Sequence, residues 1–120
     1  MHASCGLAVA ALVLSCFGPA HAQSSSPANP FEGDAKAVEA GQSLFNQNCE
    51  RCHGPNAVTA LMPRNLRRLR ARHGGDMAAS FYATVQAGRP AKGMPSWKGV
   101  IDDGDLWRIY TFLESVQESP

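Results

Sequence analysis

Two kinds of apolar run alternate with polar sequence along this chain. From Leu7 to Phe17 the residues are almost wholly apolar, whereas beyond Asp34 apolar residues recur every three or four positions. The second spacing predicts helices. Asp34 is a suitable N-cap, and Ala37, Val38, Gly41, Leu44, Phe45 and Cys49 then define a first helix over about Ala35 to Asn48. Gly41 lies mid-helix, where glycine costs about 1 kcal/mol relative to alanine, so a close approach by another helix is expected there. Leu66 and Leu69 share one side of Arg64 to Arg72, which predicts a short amphipathic helix closed by Gly74 and Gly75. Asp76 is expected to cap another helix, with Met77, Phe81 and Val85 on one face, Tyr82 beside them and Gly88 at its end. Asp102, Asp103 and Asp105 open a last helix at its positive end, with Leu106, Ile109, Tyr110, Leu113 and Val116 as its stripe, widened by Trp107 and Phe112. There is no strand alternation, internal repeat, phosphate loop or heptad pattern. The chain reads as all-α.

The first apolar run stands apart from this pattern. It is followed by Gly18-Pro19 and then by Ala20-His21-Ala22, a small-x-small cleavage pattern, and it is too short to span a bilayer. Residues 1–22 are therefore read as a signal peptide, despite an n-region without Lys or Arg. A lipoprotein reading at Cys16 fits less well, because Leu14 is a poor residue two positions ahead of such a cysteine. Residues 23–33, rich in Ser, Pro and Gly, read as a flexible leader, and residues 34–120 as one domain. Between the helices, Gly54-Pro55-Asn56-Ala57 stops the chain after the first helix and opens a loop to Met62-Pro63. Arg89 to Gly99, with Pro90, Gly93, Pro95 and Gly99, is not expected to be regular.

Cysteine usage adds chemistry to this outline. Cys5 and Cys16 leave with the signal peptide, so Cys49 and Cys52 remain, followed directly by His53. A disulfide closing so small a loop would add little stability. Two cysteines three positions apart with a histidine next form the signature for covalent attachment of a c-type haem. Both thiols must reach the vinyl groups on one porphyrin edge, and the next side chain must ligate iron from one face. One helical turn supplies that spacing, and His53 is read as the proximal ligand. A flat apolar cofactor would also enlarge the core of so small a domain. The last helix, apolar over most of its circumference, should then touch two neighbours, the first helix and the haem edge.

A sixth ligand has three candidates, Met62, Met77 and Met94. Methionine is the usual partner of histidine in electron-transfer c haems and raises the potential relative to harder donors. Met77 belongs to a helical core face, where methionine is usually a packing residue. Met62 is only nine residues past His53 (62 minus 53), a short route to the opposite face of the ring. Met94 is 41 residues past it (94 minus 53), between a glycine that permits close backbone approach and a proline that stiffens the loop. Met94 is the favoured ligand, and a loop methionine that merely plugs the pocket is the alternative.

These pieces together resemble the class I, monohaem c-type cytochromes. The resemblance rests on Gly41-x-x-x-Phe45, Cys49-x-x-Cys52-His53-Gly54, Pro63, Gly93-Met94-Pro95 and Phe112, in that order and spacing. It implies a cytochrome c fold of three to five helices wrapped around one covalent haem c. Cys49 and Cys52 would carry the thioethers, and His53 and Met94 would ligate the iron. The Pro63 carbonyl would accept the hydrogen bond from the other ring nitrogen of His53. Gly41 and Phe45 would meet Phe112 where the first and last helices cross. Trp97 is similar to the family's pocket aromatic, whose indole N–H serves a propionate, against the simpler reading of a core tryptophan. The Arg64 to Leu69 stretch, and Gly88 through Trp97, are similar to small periplasmic cytochromes that take electrons from quinoprotein (pyrroloquinoline quinone) alcohol dehydrogenases.

The implied function is one-electron transport in the periplasm by a monomer without stable membrane insertion. Its partners would be a dehydrogenase donor and an oxidase or cytochrome acceptor, met in brief encounters over a small interface at one haem edge. It would not be an enzyme. Formal charge, 11 minus 10 or +1, implies no polyelectrolyte partner, and nucleic acid is not expected. Five arginines between Arg64 and Arg72 either steer an acidic partner or form a solvated helix face, and His73 beside them reads as a surface residue. Two rival readings remain. A haem sensor or small-ligand-binding protein would keep an open sixth site. A thiol-disulfide oxidoreductase would use Cys49 and Cys52, but the strand-helix pattern such proteins need is missing.

Overall fold

A computed structural model describes residues 28–119. The signal-peptide and Cys16 readings, and the start of the leader, lie outside those residues. The described chain forms five α-helices: α1 (Ala35–Asn48), α2 (Glu50–His53), α3 (Leu69–His73), α4 (Met77–Ala87) and α5 (Asp103–Ser115). Short 3-10 turns link them, and among the described residues there is no strand beyond one isolated bridge between Arg89 and Met94.

Helices α1 and α5 form the frame. Asp34 caps α1 by accepting the backbone N–H groups of Lys36 (2.9 Å) and Ala37 (3.3 Å). Asp102 caps α5 in the same way, accepting from the N–H of Asp105 at 2.9 Å. A Cβ at Gly41 would overlap the carbonyl oxygen of Arg108, so the two backbones touch at that point. One turn further on, Phe45 meets Phe112 with ring centroids 5.5 Å apart. Phe45, Leu106, Ile109 and Leu113 are fully buried at the crossing. Burying each such side chain contributes about 1.5–3 kcal/mol, which is why this crossing positions everything else.

The second neighbour of α5 is α4. Tyr82 stacks on Trp107 at 5.3 Å, Phe81 packs on Tyr110 at 5.4 Å, and Trp107 meets Tyr110 edge-on at 5.6 Å. Tyr82 also donates its hydroxyl to Asp103 at 3.0 Å, tying the seam to the start of α5.

Three expectations change in the folded chain. The arginine-rich segment is not one helix: it begins with 3-10 turns at Met62–Arg64 and Leu66–Arg68, separated by extended Asn65, and only Leu69–His73 is α-helical. Asp76 does not cap α4 through its side chain, because a 3-10 turn over Gly74–Asp76 runs directly into the helix. The described end of the leader is fastened to the domain. Asn29 donates to the Thr111 hydroxyl at 3.0 Å, Phe31 packs on the core, and the Arg108 guanidinium lies 4.6 Å from the Phe31 ring centre.

Candidate functional site

Helix α1 delivers the cysteine pair. Cys49 is its C-cap, with its N–H donated to the Phe45 carbonyl at 2.7 Å, and the same residue starts α2. The N–H groups of Cys52 and His53 both donate to the Cys49 carbonyl, at 3.1 and 3.0 Å, so one tight turn carries both thiols and the imidazole. Gly54 then reverses the chain at φ 78°, and a Cβ there would overlap the Val58 carbonyl. Cys49 is half-buried, Cys52 is exposed, and both are free thiols. Burial, and then the neighbouring Cys52, push the Cys49 thiol up to about 11. A redox-active dithiol needs the opposite shift, because the thiolate is the nucleophile. Burial thus weakens Cys49 as an exchange nucleophile, and the two free thiols stand on one turn, as thioether attachment requires.

His53 is oriented by its Nδ1, which lies 2.9 Å from the carbonyl oxygen of Arg64. A carbonyl can only accept, so Nδ1 carries the proton and the lone pair is at Nε2. The acceptor is one residue later than the Pro63 carbonyl implied by the family resemblance. The 3-10 turn over Met62–Arg64 uses the carbonyls of Leu61 and Met62 for its own hydrogen bonds, and of the two carbonyls that follow it is that of Arg64 that meets His53. Past His53, Val58, Leu61 and Met62 leave 55–57% of their surfaces exposed. Uncovered apolar surface beside a histidine whose Nε2 is free for a ligand suits a flat apolar group held by two thiols and one imidazole.

The three methionines sit in different settings. Met77 is 3% exposed inside α4 and serves packing. Met62 is in the turn that grips His53 from its Nδ1 edge. Met94 is half-buried against the core and follows Gly93 at φ 80°. Its loop is closed by paired bonds between Arg89 and Met94, N–H to carbonyl at 2.8 and 3.1 Å, over a 3-10 turn at Pro90–Lys92. Gly88 lets the loop fold back, since a Cβ there would come within 2.6 Å of the Pro95 carbonyl carbon. Trp97 is half-buried and donates its backbone N–H to the Val85 carbonyl at 3.0 Å, which ties this loop to α4.

A family model described as cytochrome C oxidase, cbb3-type, subunit III matches residues 36–113. The chain belongs to the class I cytochrome c family. Accordingly it is an all-α cytochrome c domain, whose family carries one covalently attached haem c and for which Cys49-x-x-Cys52-His53 fits as the attachment motif. It is 38% identical over 90 residues to cytochrome c550 of Pseudomonas aeruginosa, covering 72% of this chain and 61% of that protein. It is 30% identical to the cbb3-type cytochrome c oxidase subunit CcoP of Azospirillum brasilense, over 73% of this chain and 31% of that subunit. Quinohemoprotein alcohol dehydrogenase ADH-IIG of Pseudomonas putida is 28% identical over 69% of this chain and 11% of its own length. The chain thus spans less than two thirds of each of these relatives. No solved structure matches it at a significant level.

Sequence reasoning gives Asn46, Asn56 and Arg67 no role behind His53: Asn56 reads only as part of a helix stop and Arg67 only as one of the surface charges. Asn56 carried a signal, because asparagine after Gly-Pro tolerates the left-handed conformation. Arg67 carried none, being one arginine among five.

Proposed function

We propose that this chain is a periplasmic one-electron carrier whose haem is held by Cys49 and Cys52 and ligated by His53 and Met94. The observation that carries this reading is the 2.9 Å contact between His53 Nδ1 and the Arg64 carbonyl, which leaves Nε2 for iron directly after two free thiols. The chemistry supplied by the bound haem is a one-electron iron couple, tuned by ligand type, burial and hydrogen bonding. Its protein surroundings keep both ligands in place, so the chain acts as a carrier and not as a catalyst. Met94 is preferred as the second ligand because Met77 is locked in the core and Met62 approaches His53 from the Nδ1 edge. Trp97 is assigned to the pocket wall.

The carrier works as a monomer without membrane insertion; no described helix is long and apolar enough to cross a membrane. It takes electrons from a quinoprotein (pyrroloquinoline quinone) alcohol dehydrogenase and passes them to a terminal oxidase or another cytochrome. Similarity to proteins named for both roles supports this pairing. Carbon monoxide binding tests the ligand set. The reduced parent protein should bind carbon monoxide slowly and Met94→Ala rapidly, with loss of the sulfur-to-iron charge-transfer band in the oxidised variant. Fast binding by the parent and an unchanged spectrum in Met94→Ala would instead establish the open-site sensor reading.

A further inference from the structure

The turn behind His53 holds Asn56 and Ala57 at φ 54° and 62°, in the left-handed region that residues other than glycine rarely adopt. Such backbone persists only where its surroundings over-determine it. Asn56 Oδ1 accepts from Asn46 Nδ2 at 2.8 Å and from Gln42 Nε2 at 2.9 Å. Its backbone N–H donates to Asn46 Oδ1 at 2.8 Å. Its carbonyl accepts from Arg67 twice, Nη2 at 3.0 Å and Nε at 3.3 Å. Ala57 is fully buried in the core. Asn56 is thereby clasped between α1 on one side and the guanidinium of Arg67 on the other.

Arg67 belongs to the same segment as the carbonyl that holds His53. Asn65 Oδ1 accepts the Arg67 N–H at 2.9 Å, and the Asn65 carbonyl accepts from Arg72 Nη2 at 2.8 Å. The Arg67 carbonyl in turn accepts the Glu118 N–H at 2.7 Å. His53 and its acceptor therefore come from two stretches of chain that no regular element joins, and the Arg67 fork on Asn56 spans them.

We propose that Arg67, by gripping Asn56, is a positioning residue for His53: it keeps the Arg64 carbonyl on Nδ1 and so sets the orientation and basicity of the imidazole. This rests on the reading of His53 as the iron ligand. Arginine suits the role because its planar fork makes two bonds in one fixed geometry, which lysine cannot do. A histidine that donates Nδ1–H to a carbonyl is a more basic ligand and favours the oxidised iron, so the latch lowers the reduction potential.

The test uses the haem-loaded protein with Arg67→Ala and Arg67→Lys. It reads the solvent exchange of His53 Nδ1–H by proton NMR, together with the reduction potential. Arg67→Ala should exchange this proton roughly tenfold faster, the loss expected when a charge-assisted bond is removed, and should raise the potential. Backbone amides of α5 should keep their parent exchange rates. Arg67→Lys should fall between parent and Arg67→Ala, and it carries the test alone if Arg67→Ala fails to fold. Parent-like exchange and potential in Arg67→Lys and Arg67→Ala would overturn the proposal, as would equal acceleration at Nδ1–H and across α5, the sign of general loosening. A parent protein whose His53 ring protons lack a haem-induced shift would overturn the ligand reading, and the latch with it.

Discussion

At Gly41 the absence of a side chain lets α1 and α5 touch, because any Cβ there would overlap the Arg108 carbonyl. Helix propensity alone favours alanine at this position by about 1 kcal/mol, but forcing two packed backbones apart costs more. Gly41→Ala should therefore lower stability by about 1–3 kcal/mol, read from the midpoint of denaturant unfolding. A midpoint equal to the parent's would show that the helices separate freely. This position was legible in the sequence, since a glycine inside a strong helical stripe needs a reason. The carbonyl on His53 was legible only to within one residue. Pro63 marks the turn, but which of the two carbonyls left outside its hydrogen bonds meets His53 depends on how the turn sits against α2 in the folded chain. Arg67 was not legible at all: its neighbours share its chemistry, and only folding distinguishes the one that meets Asn56.

Among the elements, the helices that pack strongly were the ones periodicity could place. Helices α1 and α4 begin and end where spacing and punctuation predicted, and α5 begins at its aspartates, because each has an apolar face and a polar or glycine residue at those boundaries; α5 stops at Ser115, one residue short of the predicted stripe's Val116. The arginine segment broke into turns because its few apolar residues reward no single helical face, while its carbonyls find other partners. Gln117 donates to the Leu66 carbonyl at 2.9 Å, and Glu118 to that of Arg67. The α4–α5 seam yields a pH prediction. Burial, and then the Glu114 carboxylate, raise the Tyr110 hydroxyl to about 12. An unfolded tyrosine titrates near 10. Between these values the unfolded chain has lost a proton that the folded chain retains, so stability present below about pH 10 is lost as pH rises towards 12. The loss should be on the order of 1–3 kcal/mol, measured by denaturant unfolding across that range. Tyr110→Phe should flatten the profile, and an unchanged slope in that variant would assign the alkaline loss to other groups.

For the molecule as a whole, the arginine run changes meaning. Arg67 and Arg72 bind backbone carbonyls, and Arg70 lies 3.6 Å from Glu114. Among the described residues the side chains of Arg64 and Arg68 enter none of these bonds, so within this run they are the two left to test for steering of an acidic partner. Reversing them, Arg64→Glu with Arg68→Glu, should slow haem reduction by a quinoprotein alcohol dehydrogenase about tenfold at low salt. The difference should shrink as ionic strength shortens the Debye length towards 8 Å. Stopped-flow mixing of the oxidised carrier with dehydrogenase and alcohol measures it. A rate indifferent to both changes would locate docking on another face, and no reduction at all would remove that donor. Arg67 does not belong in this test, because its loss would also disturb the turn behind His53.

Local information was enough for the attachment motif, the three packed helices and the Met94 loop. Each is encoded within a few consecutive residues: the cysteine and histidine spacing, a 3.6-residue apolar stripe, and glycines and prolines that restrict the backbone. Other features needed the folded chain. The Arg64 carbonyl on His53, the left-handed Asn56 clasped by Asn46 and Arg67, and the docking of Phe31 on Arg108 join residues distant in sequence. Hydrogen bonds of that kind depend on where separate segments meet. That meeting is set by the backbone contact of α1 and α5 at Gly41 and by the aromatic seam beside it.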